Sequence, residues 1–220
     1  MYNNHMETID IKNHFKTPLF THEMLSAFLE PIVSQVNIKI ATMVKNGDLI
    51  RLKRGVYHLG KRYQSAPIDT ISISNMLYTP SYVSFDFALS HYGMIPERVS
   101  EVTAATLNHP KLFETPLGRF SYKHIPKEAY ALGVDWMYDE NNGGKLIATP
   151  EKALCDKIRY DRGVGSMTQA QMKEYLVYDL RLERLEMLNV ELIFSMAHAY
   201  RSKNLRTLAF VLQKGVNHGE

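Results

Sequence analysis

The sequence contains one cysteine, Cys155, and one tryptophan among its 220 residues. A single cysteine excludes an intramolecular disulfide framework and is typical of a chain that folds in a reducing compartment. No run of about 18 apolar residues is present, so we expect no transmembrane helix. The first 15 residues are polar with scattered charges and lack the apolar segment of a signal peptide. We therefore expect a cytoplasmic protein without membrane contact.

Signatures of metal and cofactor chemistry are also missing. The nine histidines are scattered, there is no His-Glu-x-x-His motif, and a lone cysteine cannot supply the cysteine pairs of a zinc site. No glycine-rich phosphate loop of either familiar type occurs, and no nucleophile elbow surrounds Ser84 or Ser90. We therefore expect no cofactor, no bound metal ion and no catalytic residue, and predict that the chain is not an enzyme.

One acidic cluster leaves an enzymatic alternative open. Glu151, Lys152 and Asp156 follow a predicted strand, and a nuclease uses such carboxylates and a lysine around a divalent cation. That chemistry needs carboxylates that converge from strand ends, whereas Glu151 is better placed to favour the positive N-terminus of its own helix. Asp156 can pair with Arg159 or Tyr160 on the same helix surface. A metal-dependent nuclease or related nucleic-acid enzyme is thus the alternative hypothesis.

The chain is rich in apolar residues and has a local excess of positive charge. Hydrophobic residues make up 45% and aromatic residues 10%, enough for substantial cores at this length. Residues 1–66 carry nine Lys and Arg against five Asp and Glu, a net charge of +4, whereas residues 67–220 carry 17 against 18, a net charge of −1. We place a boundary near residues 60–67 and predict an α+β protein with two domains, 1–66 and 67–220.

A short helix with one apolar face is predicted after Ser34, whose hydroxyl is suited to cap its first turn. Gly47 is positioned for a left-handed stop at its C-terminal end. Apolar residues recur at helical spacing and define a buried stripe: Val36, Ile40, Met43 and Val44. The opposite face carries the mixture of side chains with which a recognition helix reads base edges: Gln35, Ile38, Lys39, Thr42 and Lys45.

A basic β-hairpin is predicted directly after this helix. Residues 49–53 alternate as a strand does, and residues 56–59 return as a second strand. Seven Lys and Arg but a single acid, Asp48, lie between residues 39 and 62. This concentration of charge favours contact with nucleic acid. The cations at or near the hairpin tip are Arg51, Lys53 and Arg54.

A second helix is predicted before this unit. Thr21 is suited to cap it, its apolar positions include Leu25 and Leu29, and Pro31 ends it. Two successive helices followed by a basic hairpin are typical of a winged helix-turn-helix, a DNA-binding module. The sequence therefore predicts a winged helix-turn-helix within residues 1–66.

Mixed helices and strands are predicted for the second domain, which ends in a helical portion. Asp69 opens a helix that stops by Pro80, a short strand follows at residues 82–84, and another helix spans residues 85–92. Pro150 stands at the first position of a further helix, capped by Thr149. The remaining predicted strands lie at residues 101–107, 119–125, 136–140 and 145–149, the last two joined by an Asn-Asn-Gly-Gly turn. The last predicted helices lie at residues 168–178, 182–188, 190–202 and 205–214.

Three segments together resemble one known family. They are Gly-Asp-Leu-Ile-Arg-Leu-Lys-Arg-Gly-Val-Tyr at residues 47–57, Ser-Tyr-Val-Ser-Phe-Asp-Phe-Ala-Leu-Ser-His-Tyr-Gly-Met-Ile-Pro at residues 81–96, and Ile-Ala-Thr-Pro-Glu-Lys-Ala-Leu at residues 147–154. They resemble the corresponding parts of the AbiEi antitoxins, transcriptional regulators of bacterial type IV toxin-antitoxin and abortive-infection (phage-defence) systems. The resemblance covers most of the chain, from about residue 20 to residue 160.

The resemblance implies two roles. The N-terminal winged helix would repress the protein's own promoter by binding inverted repeats in double-stranded DNA. The C-terminal domain would counteract a nucleotidyltransferase-like toxin encoded beside it, without forming a stable complex with that toxin. By position, the resemblance places DNA contacts at Gln35, Lys39, Thr42, Arg51, Lys53 and Arg54. In the second domain the matching positions carry no assigned chemistry: Tyr82, Ser84, Ala88, Pro150, Glu151 and Lys152.

The residue types in this interface predict a division of labour. Gln35 and Lys39 would discriminate the sequence, whereas Arg51, Lys53 and Arg54 would anchor phosphate or enter the minor groove. Gln35→Ala should then cost about 1–3 kcal/mol on the preferred site only, and Lys53→Ala should weaken all duplexes alike and lower the salt slope by roughly one. A third hypothesis is a protein-interaction module whose winged helix is only structural, and the neighbouring reading frame separates it from the first.

Overall fold

The computed structural model describes residues 8–215 except residues 162 and 164, and shows a mixed α+β protein with two β-sheets. The first seven residues, included in the expectation that no signal peptide is present, lie outside the described residues. The N-terminal part contains three helices and three strands. They are α1 (Thr8–His14), β1 (Leu19–Thr21), α2 (His22–Leu29), α3 (Val36–Lys45), β2 (Leu49–Lys53) and β3 (Val56–Leu59).

Local signals in the sequence explain most boundaries of α2 and α3. Thr21 Oγ1 accepts a hydrogen bond from the Met24 amide at 3.2 Å, which confirms the predicted cap of α2. The prediction that Ser34 caps α3 is wrong: Gln35 occupies the capping position with a non-helical backbone and no side-chain hydrogen bond, so the helix starts one residue later. Gly47 has a φ of +76°, which confirms the predicted left-handed stop.

The three strands form an antiparallel sheet in the order β1-β3-β2. One face packs against the helices, and its core includes Phe20, Leu49 and Tyr57 together with Ile40 and Met43 of α3. Tyr57 is thus a buried packing residue. The other face contributes apolar side chains to the core of the second part of the chain: Leu19, Leu52 and Val56. The small sheet is therefore covered on both faces.

The second sheet has six strands in the order β6-β7-β5-β4-β9-β8. The strands are β4 (Ser81–Val83), β5 (Val102–Thr106), β6 (Lys111–Thr115), β7 (Gly118–His124), β8 (Val134–Asp139) and β9 (Gly143–Ala148). The pairs β4–β9 and β5–β7 are parallel and the other pairs are antiparallel. The sequence predicted these strands with the exception of β6.

Helices cover this sheet and form the C-terminal portion. They are α4 (Thr70–Leu77), α5 (Phe85–His91), α6 (Lys127–Tyr130), α7 (Pro150–Tyr160), α8 (Gln169–Glu174), α9 (Val190–Ala199) and α10 (Lys203–Gln213). Asp69 accepts hydrogen bonds from the Ile71 and Ser72 amides, and Thr149 accepts one from the Lys152 amide, so both predicted caps are confirmed. None of the helices described here is both long and apolar enough to cross a membrane.

The predicted helix over residues 182–188 is wrong. The structure has only a single 3-10 turn there, Leu185–Met187. Arg181 and Arg184 have left-handed backbone conformations, with φ of +49° and +58°, and each interrupts a right-handed helix. Before this turn, α8 ends in a π-helical turn at Tyr175–Asp179.

Candidate nucleic-acid interface and the buried Asp156 cluster

Helix α3 presents a polar face to solvent. Gln35, Thr42 and Lys45 are exposed, and Ile38 is 61% exposed. Lys39 is half-buried on the same side of the helix. Thr42 Oγ1 donates a hydrogen bond to the Ile38 carbonyl at 2.8 Å, which leaves the hydroxyl oxygen able to accept. The helix thus brings the predicted base-reading side chains to one surface.

The β2–β3 hairpin carries two exposed arginines. Arg51 is exposed on the edge strand β2, on the sheet face that also carries Tyr57 and Leu49 and therefore faces the helices. Arg54 is exposed in the turn between β2 and β3. Neither arginine has an ion-pair partner in the part of the chain that the structure describes. Their charges are therefore available to an anionic ligand.

Lys53 differs from the other predicted contacts. A β-bulge shifts the register so that Arg51 pairs with Tyr57 and Lys53 pairs with Val56, which leaves Leu52 as the extra residue. Lys53 therefore lies on the face that packs against the second part of the chain, where its Nζ donates to the Leu77 carbonyl at 2.7 Å. Burial, with a smaller effect of the Lys111 charge, lowers the pKa of Lys53. DNA contact by Lys53 stays a prediction, but its ammonium is already engaged.

The single acid of the basic segment is neutralised locally. Asp48 is buried, forms an ion pair with Arg62, and accepts a hydrogen bond from Tyr63 Oη at 3.3 Å. Since Asp48 binds Arg62, it does not offset the exposed cations. Between residues 39 and 62, the exposed basic residues without an ion-pair partner in the described part of the chain are Lys45, Arg51, Arg54 and Lys61.

A second group of polar side chains is buried beneath the large sheet. Lys152 and Asp156 lie one turn apart on α7, are both fully buried, and form an ion pair with Nζ and Oδ1 3.0 Å apart. Lys152 Nζ also donates to the Ala129 carbonyl at 2.7 Å and to Tyr200 Oη at 2.9 Å. An ammonium has three donors, so every proton on Lys152 Nζ has a partner.

Both carboxylate oxygens of Asp156 are likewise fully hydrogen-bonded. Its Oδ1 accepts from Tyr200 Oη at 2.5 Å in addition to Lys152, and its Oδ2 accepts from Ser84 Oγ at 2.7 Å and from Tyr82 Oη at 3.1 Å. A carboxylate has about four acceptor positions, and all are filled. We call Ser84, Tyr82, Lys152, Asp156 and Tyr200 the Asp156 cluster.

The electrostatics of the cluster follow from its burial. Desolvation, and then the Asp156 charge, raises the pKa of both Tyr82 and Tyr200, so both phenols stay protonated as donors. The same two causes raise the pKa of the fully buried Cys155 thiol. Cys155 is therefore a packed, protonated side chain rather than a nucleophile.

This geometry does not match the requirements of the nuclease alternative. Lys152 and Asp156 are inaccessible to solvent and have no free donor or acceptor. Glu151 is also buried, and its Oε1 accepts from the Asn189 amide at 2.9 Å. Within the described residues, no group of three or more His, Cys, Asp or Glu side chains is placed to hold a metal ion. The structure therefore gives no observation that favours metal-dependent cleavage.

The sequence showed only part of the cluster. The i, i+4 spacing of Lys152 and Asp156 on one helix is visible as a signal for an ion pair, but Asp156 was expected to pair with Arg159 or Tyr160. Its other partners, Tyr82, Ser84 and Tyr200, are 44 to 74 residues away, and only the folded sheet brings them together.

Comparison with known proteins identifies no matching family and no matching curated relative. The resemblance of the three segments therefore stays a prediction based on short motifs. In the structure, residues 47–57 form the hairpin, while residues 81–96 and 147–154 come together at the Asp156 cluster through Tyr82, Ser84 and Lys152. The segments at residues 81–96 and 147–154 thus supply packing and hydrogen bonding in the interior.

Proposed function

We propose that this protein is a DNA-binding repressor of its own promoter and an antitoxin that counteracts a nucleotidyltransferase-like toxin. It would act in the cytoplasm and is not an enzyme. The observation that carries the DNA-binding role is the exposed polar face of α3 followed by a hairpin with two exposed arginines, Arg51 on the sheet face that packs against the helices and Arg54 in the turn. In this proposal the helix supplies base-reading side chains and the hairpin supplies phosphate-binding cations.

We infer that residues 8–66 are a winged helix-turn-helix. The order helix, short strand, two helices and hairpin, with a three-stranded antiparallel sheet, supports this interpretation. In it, α2 and α3 are the helix-turn-helix, α3 enters the major groove, and the hairpin with Arg54 at its tip is the wing. The wing is short because a two-residue turn, Arg54 and Gly55, joins its strands.

In this proposal Gln35 and Lys39 read base edges, with Thr42 and Lys45 beside them. Arg51 and Arg54 hold the phosphate backbone. We assign Lys53 primarily to the contact between the two parts of the chain, because its Nζ donates to the Leu77 carbonyl. Two half-sites in inverted orientation are expected in the promoter, since two copies would bind such a site symmetrically.

The antitoxin role is supported by the resemblance of residues 81–96 and 147–154 to the AbiEi antitoxins. In this part of the proposal, the second domain opposes the action of the toxin without forming a stable complex with it. The role of those segments is then structural, because Tyr82, Ser84 and Lys152 stabilise the interior around Asp156.

Binding titrations of the purified full chain test the first role. The ligands are a duplex from the region upstream of its own gene and a scrambled duplex of equal length and composition, each at two salt concentrations with Mg²⁺ present. We expect preferential binding to the upstream duplex, and affinity that falls steeply with salt at a slope of about −0.9 per phosphate contact. Equal binding to both duplexes would contradict the repressor role, and cleaved strands would favour the nuclease alternative.

Co-expression tests the second role. The neighbouring reading frame is expressed alone and with this chain, each under a separate inducible promoter so that repression does not affect toxin synthesis. We expect growth arrest by the neighbour alone and recovery with the full chain, including a variant in which Gln35, Arg51 and Arg54 are replaced. A neighbour without toxicity, or toxicity that the chain does not relieve, would contradict the antitoxin role.

A further inference from the structure

Strand β8 is an edge strand with an open side. It pairs with β9 from Val134 opposite Ala148 to Asp139 opposite Gly143, and no other described strand pairs with it. An edge of this length presents backbone N–H and C=O groups on which another strand can form a ladder. Because backbone groups can pair with any extended segment, the side chains on the two faces of β8 must determine which segment binds.

One face of β8 carries two exposed aromatic rings. Trp136 is 66% exposed and Tyr138 is 61% exposed, and their rings stack with centroids 5.9 Å apart and an interplanar angle of 27°. A Cβ on Gly144 would lie 2.6 Å from Trp136 Nε1, so the indole lies directly against the backbone of the neighbouring strand. The two rings therefore form a flat apolar platform held against the sheet, which we call the aromatic platform.

The other face of β8 carries two carboxylates with the exposed Met137 between them, and Lys145 of β9 lies opposite Met137. Lys145 is already paired with Asp69, its Nζ 2.6 Å from Oδ2, so the charge left at this edge is negative. Asp135 and Asp139 alternate with the two aromatic residues along the strand, and Glu140 follows at the turn. Asp139 Oδ1 accepts hydrogen bonds from the Asn141 and Asn142 amides at 2.8 and 2.9 Å and so holds the turn. Asp135 is exposed and has no ion-pair partner in the part of the chain described. Its charge is available to a basic group on an added strand.

We propose that the β8 edge binds an extended segment of a partner protein in which apolar and basic residues alternate. The partner would add a strand to the sheet, with its apolar side chains on the aromatic platform and its basic side chains beside Asp135 and Asp139. Backbone hydrogen bonds would supply affinity, and the two faces would supply specificity, as in other cases of strand addition. This surface goes beyond the proposed DNA-binding role and does not depend on it.

The charges on β8 argue against two other ligands, a second copy of this chain and a nucleic acid. In a symmetric antiparallel pairing of two β8 strands centred on Met137, Asp135 of each copy faces Asp139 of the other, and like charges directly opposite destabilise a ladder. Exposed aromatic rings also stack on nucleic-acid bases, but such sites combine the rings with basic grooves. Here Asp135, Asp139 and Glu140 are negative, and the lysine opposite Met137, Lys145, is already paired with Asp69, so the edge repels phosphates.

The single tryptophan of the chain, Trp136, is a built-in reporter for this site. Its fluorescence is followed in the full-length protein during titration with a synthetic octapeptide of alternating lysine and valine. The comparison ligands are an octapeptide of alternating glutamate and valine and a single-stranded oligothymidine. We expect a saturable change with the lysine peptide and a much smaller one with the other two.

Two variants separate the contributions of charge and platform. Asp135→Lys should reverse the preference toward the glutamate peptide, and Asp139 is left unchanged because it holds the turn. Gly144→Ala should displace the indole and weaken binding of the lysine peptide without changing any charge. Tyr178→Ala is the matched control, because Tyr178 is a 75% exposed aromatic residue on a different element. Circular dichroism establishes that each variant is folded.

Four results would overturn the proposal. They are no saturable response to either peptide, a response only to the oligothymidine, lysine-peptide binding that Asp135→Lys leaves unchanged, and a tryptophan signal that depends on protein concentration without ligand. The last result would identify a second copy of the chain as the occupant. Because DNA binding by α3 is measured separately, failure here leaves the repressor proposal unaffected.

Discussion

Lys53 Nζ donates a hydrogen bond to the Leu77 carbonyl oxygen at 2.7 Å, and so joins the basic hairpin to the end of α4. The ammonium also lies 5.6 Å from the centre of the Phe113 ring on β6. Leu52 and Val56 pack into the same core as the large sheet. One face of the hairpin is thus held against the second part of the chain, while Arg54 at the tip stays exposed.

Lys53→Met tests which role Lys53 has. The methionine keeps much of the apolar stem but removes the donor, so we expect the free energy of unfolding to fall by about 1 kcal/mol. The salt slope of promoter binding should stay at its original value, because the lost contact is internal. Urea unfolding and binding titrations at several salt concentrations measure the two quantities. A slope reduced by roughly one would show instead that Lys53 contacts a phosphate, as its sequence position predicted.

Arg54→Gln and Gln35→Ala test the division of labour on the exposed surface. Arg54→Gln removes a cation at the tip, so affinity should fall about equally on promoter and scrambled duplexes and the salt slope should decrease by roughly 0.9. Gln35→Ala should cost about 1–3 kcal/mol on the promoter alone, because it removes a contact with a base edge. Lys173→Gln, an exposed charge change on α8, is the control. Identical losses from both variants on both duplexes would contradict the proposal.

Local patterns predicted most of the secondary structure. Caps at Thr21, Asp69 and Thr149 fixed helix starts, because each side chain bonds an amide two or three residues ahead. The hairpin of β8 and β9 was likewise predicted locally, from the Asn-Asn-Gly-Gly sequence at residues 141–144. The failures were also local: residues 182–188 have helical composition, but left-handed backbones at Arg181 and Arg184 break the helix.

Contacts between residues far apart in the chain could not be predicted from the sequence. The exposed face of α3 was predicted because helical periodicity separates Gln35 and Thr42 from the buried Ile40 and Met43. The orientation of Lys53 was not, because simple alternation places it with Arg51, and only the bulge in β2 turns it toward α4. The Asp156 cluster needed the sheet to be assembled.

Gly60→Ala and Gly47→Ala compare two reasons for a glycine, lack of space for a Cβ and a positive φ. A Cβ at residue 60 would lie 2.1 Å from the Gly47 carbonyl oxygen and 2.7 Å from that of Asp48, so the backbone itself must move. We expect a loss of about 1–3 kcal/mol or more, as for overpacking. Gly47 has open space around it but a φ of +76°, so alanine there should cost only about 1–2 kcal/mol of conformational strain. Chemical denaturation measures the free energy of unfolding of both variants. A larger decrease for Gly47→Ala than for Gly60→Ala would contradict the prediction.

The buried His58 predicts a pH dependence of stability. Its Nδ1 donates to the Leu59 carbonyl at 2.7 Å, and burial lowers its pKa below the ordinary 6.5 although that hydrogen bond opposes the shift. As the pH falls through 6.5 the unfolded chain binds a proton that the folded chain does not, so the free energy of unfolding decreases until the folded-state pKa is reached. The slope from this group cannot exceed about 1.4 kcal/mol per pH unit.

Variants isolate the contribution of His58 between pH 7.5 and pH 5.5. His58→Gln should make the free energy of unfolding less dependent on pH across this range, because the titrating group is removed. His198→Gln, at an exposed position on α9, should leave the slope unchanged. Denaturant titrations at a series of pH values provide the comparison. A slope that His58→Gln does not alter would show that protonation of His58 is not linked to folding.

The last prediction compares two ion pairs on the same helix. Lys152→Met leaves Asp156 as a buried charge without its counter-ion, so we expect the free energy of unfolding to fall by about 3–5 kcal/mol. Lys157 pairs with Asp86 at 2.9 Å from the same helix, but both side chains are partly exposed, so Lys157→Met should cost less than about 1 kcal/mol. Because Lys152 and Asp156 share one network, Lys152→Met combined with Asp156→Leu should cost less than the sum of the single changes. Urea unfolding of the four variants measures these differences. Equal costs for Lys152→Met and Lys157→Met would show that burial does not set the strength of the Asp156 cluster.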